Sequence, residues 1–236
     1  MERVEDLQFG GLKIWRRDDL PGYTTDAVLL ADFAKSLKGT RVCDLGTGTG
    51  IIPLLLLGRR PDLAVTGLEI NAQLAALARK SAALNGLEDQ FSVMQGDLRQ
   101  AERLLPGASY DAVICNPPYY SDSQGSPDSH QHTCDESDAA RAARWLLKPK
   151  GRLFICCPAG RVFVMAGVMR AAGIEPKRLR MAASFAHKAP YLCLMEGTLG
   201  AKPGCTFEPQ LVLMEAPGRF GREYRAIYHM EEEDKE

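Results

Sequence analysis

The sequence predicts an α/β fold, a mostly parallel sheet with helices on both faces, from three observations. Strand-like runs rich in branched residues alternate with helix-like stretches from residue 41 to residue 172, the pattern of βαβ units. A glycine-rich turn, LGTGTG at 45–50, follows the first of those strands and opens a helix, as in nucleotide-binding sheets of this kind. The chain has 236 residues, 45% apolar and 25% charged, which is enough for one domain with a full core.

Taken in order, LQFGGLKIWRR (7–17) reads as a small hairpin turning at Gly10-Gly11. A helix follows from about Thr25 to Lys38. Strands are expected at RVCDL (41–45), LAVTGLE (63–69), FSVMQ (91–95), YDAVIC (110–115) and RLFICC (152–157). Helices fall between them at 51–59, 71–85, 98–104 and 137–147, with another near 161–172. Two further strands, KRLRMAAS (177–184) and YLCLMEG (191–197), lie close enough in sequence to form an antiparallel pair at the sheet edge. The expected organisation is a single domain: an N-terminal hairpin and helix cap (1–38), a core (39–200) and a C-terminal extension (201–236) ending in the acidic run EEEDKE.

Composition narrows the class. The longest apolar stretch, IIPLLLLG at 51–58, is far short of the ~20 residues a membrane span needs. The first residues, MERVEDLQFG, are charged and lack the apolar centre of a secretory signal. Seven cysteines with no C-x-x-C pair suggest reduced thiols, hence a cytoplasmic protein. A net charge of −1 gives no global field for nucleic acid, so any RNA contact must come from local patches. Nothing marks a stable protein partner.

The glycine turn carries the first chemistry. Gly46, Gly48 and Gly50 allow close backbone approach to a ligand. The spacing is G-x-G-x-G rather than the G-x-G-x-x-G of dinucleotide sites, and Asp44 stands just ahead of it. A carboxylate there repels a pyrophosphate but suits a cationic ligand, a sulfonium or an α-ammonium. Glu69, ending the second strand in TGLEIN, can accept both hydroxyls of a ribose. Asp97, in QGDLR after the third strand, can accept from an adenine amino group. Together Asp44, the glycines, Glu69 and Asp97 resemble the S-adenosylmethionine-dependent methyltransferases of the seven-stranded, Rossmann-like class, whose sheet is mostly parallel with an antiparallel edge strand. That resemblance implies S-adenosylmethionine as cofactor.

The fourth strand ends in ICNPPYY (114–120). Pro117 stops the ladder and pushes Asn116 into extended backbone. N-P-P-Y in this place looks like the motif of methyltransferases acting on planar amino groups. Their target nitrogens are poor nucleophiles because the lone pair is delocalised. In that reading the Asn116 side-chain carbonyl and the Pro117 backbone carbonyl accept the two N–H hydrogens, stabilising the charge that develops on nitrogen. Tyr119 stacks on the base, and Asn116 also borders the cofactor.

Enzymes that methylate protein glutamine share N-P-P-Y but place a helical domain ahead of the glycine loop, for which 43 residues leave no room. What precedes the loop here is PGYTTDAVLLADF (21–33). With SHQHTC (129–134), EPKRLRMAAS (175–184), EGTLGAKPG (196–204) and PQLVLMEAPGRFGREYRAIY (209–228), it resembles the bacterial tRNA1(Val) adenine-N6 methyltransferases. The resemblance spans nearly the whole chain. It implies adenine N6 in tRNA as target and adds Thr25 and Asp26 to the cofactor-binding residues. Ser129 stands where that family carries an arginine before the histidine, which puts a phosphate contact there in doubt. His130, His132 and Cys134 lack a fourth ligand for zinc, and no metal is expected. Lys177, Arg178 and Arg180, with Arg219, Arg222 and Arg225, are the candidate tRNA contacts; Arg16, Arg17 and Lys188 are further basic positions. The alternatives are methylation of a protein glutamine or of guanine N2, or a noncatalytic scaffold of the same fold. A scaffold has no need of Asp44, Glu69, Asp97 and Asn116.

Overall fold

The computed structural model describes residues 1–117 and 135–230. Its N-terminal hairpin pairs β1 (Glu2–Asp6) with β2 (Lys13–Arg17), so the turn falls where the two glycines predict, although the first strand starts five residues before Leu7. α1 (Thr25–Phe33) follows and ends in one 3-10 turn over Ala34–Ser36. Then come β3 (Arg41–Leu45), α2 (Ile51–Arg59), β4 (Ala64–Glu69), α3 (Ala72–Leu84), β5 (Phe91–Gln95), the short α4 (Ala101–Leu104) and β6 (Tyr110–Cys115). Three of those strands match their expected bounds to the residue. The second half holds α5 (Glu136–Leu146), β7 (Leu147–Pro158), α6 (Val162–Ala171), β8 (Ile174–Ala183) and β9 (Leu192–Leu199). Four short strands, β10 (Thr206–Phe207), β11 (Leu211–Val212), β12 (Met214–Ala216) and β13 (Arg219–Phe220), lead into α7 (Arg222–Ile227).

The principal sheet runs β8-β9-β7-β6-β3-β4-β5, seven strands, with β10 and β11 capping the outer side of β8. β3 to β7 are parallel, β9 is antiparallel to both neighbours, and β8 therefore runs with the parallel set. The reversed strand thus lies one place inside the edge. β10 and β11, two residues each, carry no periodicity that a sequence could reveal.

Both sheet faces are covered, which is why the central strands carry consecutive apolar residues rather than strict alternation. One layer packs Ala27, Leu30, Leu54, Leu56 and Ala78, from α1, α2 and α3, onto Val42, Ile114 and Phe154. The other packs Ala139, Leu146, Met165 and Met169 of α5 and α6 onto Leu45, Val113 and Ile155. Each fully buried Leu or Ile there contributes roughly 1.5–3 kcal/mol. Pro53 is tolerated in α2 because it lies in the first turn, where N–H groups have no intrahelical acceptor. α5 starts on a capping box, Asp135 accepting the Asp138 N–H at 2.8 Å. The hairpin is clipped to α3: Asn85 accepts the Lys13 N–H at 2.9 Å and donates to the Lys13 carbonyl at 2.7 Å.

Candidate active site

The carboxyl ends of β3, β4, β5 and β6 surround a cleft of about 620 Å³. Such a crevice is where open parallel sheets hold their ligands. Its floor is the turn after β3. Gly46 (φ +73°) and Gly48 (φ +57°) adopt left-handed backbone, and a Cβ on either would meet nothing within 4 Å. Conformation, not crowding, requires glycine at these two places. Gly50 differs. A Cβ there would come within 2.8 Å of the Phe91 ring, so this glycine lets α2 close onto β5 and does not line the cleft.

The turn is held from below and from the side. Thr47 donates its hydroxyl to Asp44 Oδ2 at 2.7 Å, and its own N–H goes to the Leu68 carbonyl. Gly67, opposite Asp44 in the sheet, leaves room for Thr47, since a Cβ would sit 2.7 Å from its methyl. Glu69 is buried at the end of β4. Its Oε2 accepts the Gly48 N–H at 2.8 Å and its Oε1 the Asn71 N–H at 2.9 Å. Each oxygen keeps a second lone pair for a donor from the cleft. Asn71 in turn caps α3, accepting from the Gln73 and Leu74 N–H groups. Asp97 borders the cleft after β5 and is braced by Arg99, whose backbone and guanidinium both donate to it.

Asp44 lies one layer deeper, beneath the turn and outside the cleft lining. Its Oδ1 is buried with no hydrogen-bond partner, the only such side-chain atom among the described residues. Burial pushes its carboxyl up to about 7; the Thr47 hydroxyl opposes that rise and the neighbouring Glu69 charge adds to it. An orphaned buried oxygen costs about 1–3 kcal/mol, a cost that a cation bound just above would offset. A sulfonium cofactor with an α-ammonium group and a ribose fits this donor set: an uncompensated acid below, two partly used carboxylate oxygens beside it, and open space over Gly46 and Gly48.

On the opposite wall, Asn116 and Pro117 close the cleft at the end of β6. Asn116 Oδ1 lies 3.0 Å from the Cys156 thiol of β7, which donates to it. Asp26, in the first turn of α1, also faces the cleft, and burial raises its carboxyl above the usual range. Thr25 does not line the cleft: its hydroxyl is turned to Tyr228 of the C-terminal segment. Its neighbours Tyr23 and Thr24 line it instead. The repeated T-T gave no means of choosing between Thr24 and Thr25. Tyr119, His130, His132 and Cys134 lie outside the described residues.

The basic residues correct a second expectation. Arg178 reaches Glu196 at 2.7 Å and Glu208 at 2.9 Å, with its guanidinium 3.8 Å above the Phe33 ring. Arg180 forms a fork with Glu223, both bonds 2.6 Å. These two side chains fasten β8 to α1 and α7 and are not free to meet RNA. Arg16 and Arg17 are likewise paired, with Glu5 and Asp19.

The profile of the methyltransferase small domain matches residues 24–161, more than half of the chain, from the start of α1 to the end of the sheet's parallel part. The chain belongs to the methyltransferase small-domain family. Within that family it falls among the bacterial tRNA1(Val) (adenine(37)-N6)-methyltransferases. It is 30% identical to the Porphyromonas gingivalis enzyme of that name over 218 residues, 85% of this chain and 84% of that one. The Parabacteroides distasonis enzyme of the same name is 27% identical over 94% of both chains. A predicted O-methyltransferase from Agrobacterium tumefaciens has the same fold: its TM-score is 0.73 at 20% identity, with 86% of this chain and 95% of that one covered. Membership makes the chain an S-adenosylmethionine-dependent methyltransferase.

Proposed function

We propose that the chain methylates the N6 amino group of an adenine in tRNA, with the residues of the cleft in the roles given below. The observation that carries this reading is the meeting of two half-sites in one cleft. Glu69 and Asp97 stand on one wall and Asn116 and Pro117 on the other. The names of the relatives support tRNA as substrate.

In this reading Glu69 accepts from the ribose hydroxyls of S-adenosylmethionine, Asp97 from its adenine amino group, and Asp44 supplies charge complementary to its cation. Bound there, the cofactor presents an electrophilic methyl group. The Asn116 amide oxygen and the Pro117 carbonyl accept the two N–H hydrogens of the substrate amine. They stabilise the positive charge that develops on nitrogen, as preorganised dipoles do in a site that excludes water. The Cys156 thiol, donating to the same amide oxygen, fixes which end of Asn116 is presented. No strong general base is required, because the methylated ammonium is acidic enough to lose its proton to water. Tyr119 is the proposed stacking surface for the base. In this reading the protein works in the cytoplasm, where tRNA is. Among the described residues no helix is long and apolar enough to cross a membrane.

Incubation with methyl-labelled S-adenosylmethionine, total tRNA and a cell protein fraction tests the substrate class. Label is expected in tRNA. Label in protein alone would replace the tRNA reading with glutamine methylation, and label in neither would favour a scaffold.

A further inference from the structure

We propose that the loop between β8 and β9, residues 184–191, is a docking surface for the unpaired RNA nucleotides that flank the target adenine. This rests on the tRNA reading above. Three features of the structure support it.

The first is direction. β8 runs with the parallel strands, so its last residue, Ala183, emerges on the same side of the sheet as Asn116. β9 begins opposite Pro158, the last residue of β7, and β7 neighbours β6. At ~4.8 Å per strand, the loop's return lies about 10 Å across the sheet from the end of β6. That is within reach of nucleotides adjoining an extruded base. Tyr191, at that return, is partly exposed, and burial with the nearby Asp26 carboxylate holds its phenol above the ordinary range. Asp26 itself lines the cleft.

The second is chemistry. The half-buried Phe185 ring stacks on the exposed His187 ring, with centroids 5.6 Å apart and planes inclined by 24°. Lys188 follows, exposed and in no ion pair among the described residues. Aromatic faces beside a free cation are what proteins use to hold single-stranded RNA, by stacking bases and meeting phosphates.

The third is the neighbour. The β12–β13 hairpin hangs from the same strand end, with Leu213 N–H on the Ala183 carbonyl at 3.0 Å and Met214 N–H on the Ser184 carbonyl at 2.9 Å. Just past β13, at the start of α7, lies Arg222, exposed and also in no ion pair among the described residues. The arginines of β8 itself are occupied by Glu196, Glu208 and Glu223. The available positive charge on this side therefore lies in the 184–191 loop and at the start of α7 rather than in the strand.

The test is tRNA methylation kinetics with His187→Ala and Lys188→Glu, both exposed positions where folding is not at issue. Lys202→Glu, beyond the opposite end of β8 and β9, is the control. Each loop variant is expected to raise KM for tRNA about tenfold, within the range of one lost stacked base or phosphate contact. Lys188→Glu should also flatten the salt dependence of tRNA binding by about 0.7 in log–log slope. Cofactor affinity, the melting midpoint and the Lys202→Glu variant should be unchanged. Photo-crosslinks from tRNA should map to peptide 184–191. Loop variants with wild-type KM and salt slope would overturn this surface while leaving the tRNA reading intact. A wild-type chain that methylates no tRNA would overturn both.

Discussion

Asp44 is the residue whose placement most changes what the site is expected to do. The sequence puts an acid next to a glycine turn; the structure puts it under the turn, with one oxygen unpaired and a carboxyl that titrates at about 7. A cationic ligand binds the ionised form, so protonation opposes binding. Cofactor affinity should therefore fall by up to about tenfold per pH unit below 7 and level off above about 8. Calorimetric titration between these limits is expected to show that inflection in the wild type and none in Asp44→Asn, which should bind weakly at every pH. Glu69 makes a different prediction. Glu69→Ala removes two hydrogen-bonded oxygens, and S-adenosylhomocysteine affinity should drop by about 1.5–3 kcal/mol. Unchanged affinity would remove Glu69 from the site. Asn116→Ala should keep cofactor affinity and lose turnover by about 10²-fold or more, by analogy with loss of one oxyanion-hole donor. Single-turnover assays beside cofactor titration separate the two effects.

At the scale of elements, the strands that position these residues were legible because short runs rich in branched and apolar residues, bounded by turn signals, read as strands. FSVMQ and YDAVIC are β5 and β6 to the residue. The basic side chains were not legible. Arg178 and Arg180 alternate with Leu179 and Met181, a pattern that reads as an exposed charged face, yet acids more than fifteen residues away in sequence claim both. Glu196, buried on β9, is shared by Arg152 and Arg178. Removing one arginine leaves a buried carboxylate half compensated, at a cost on the order of 2 kcal/mol. Arg178→Ala is therefore expected to lower the melting midpoint by several degrees while leaving the salt slope of tRNA binding as it was. A lost salt slope with unchanged melting would return Arg178 to the RNA face.

Across the whole molecule, function follows from where the chain brings strand ends together. Asp44, Glu69, Asp97 and Asn116 are spread over 73 positions of sequence, yet all stand at the carboxyl edge of four adjacent strands. The alternation of strand and helix was enough to predict that convergence, because strands joined by helical crossovers run parallel and so all end on one edge of the sheet. It could not predict which threonine of Thr24-Thr25 faces inward, or that β8 returns its loop to the catalytic side. The first depends on Tyr228, two hundred positions away, which meets the Thr25 hydroxyl, and the second on the antiparallel pairing of β9 with β7; neither leaves a local mark. The central claim is that this edge methylates an adenine amine in RNA. Mass spectrometry of nucleosides from tRNA incubated with the chain and labelled S-adenosylmethionine tests it most directly, with Asn116→Ala as control. Labelled N6-methyladenosine from the wild type, and about a hundredfold less from the variant, is the expected result; labelled methylguanosine or methylcytidine would contradict the adenine assignment.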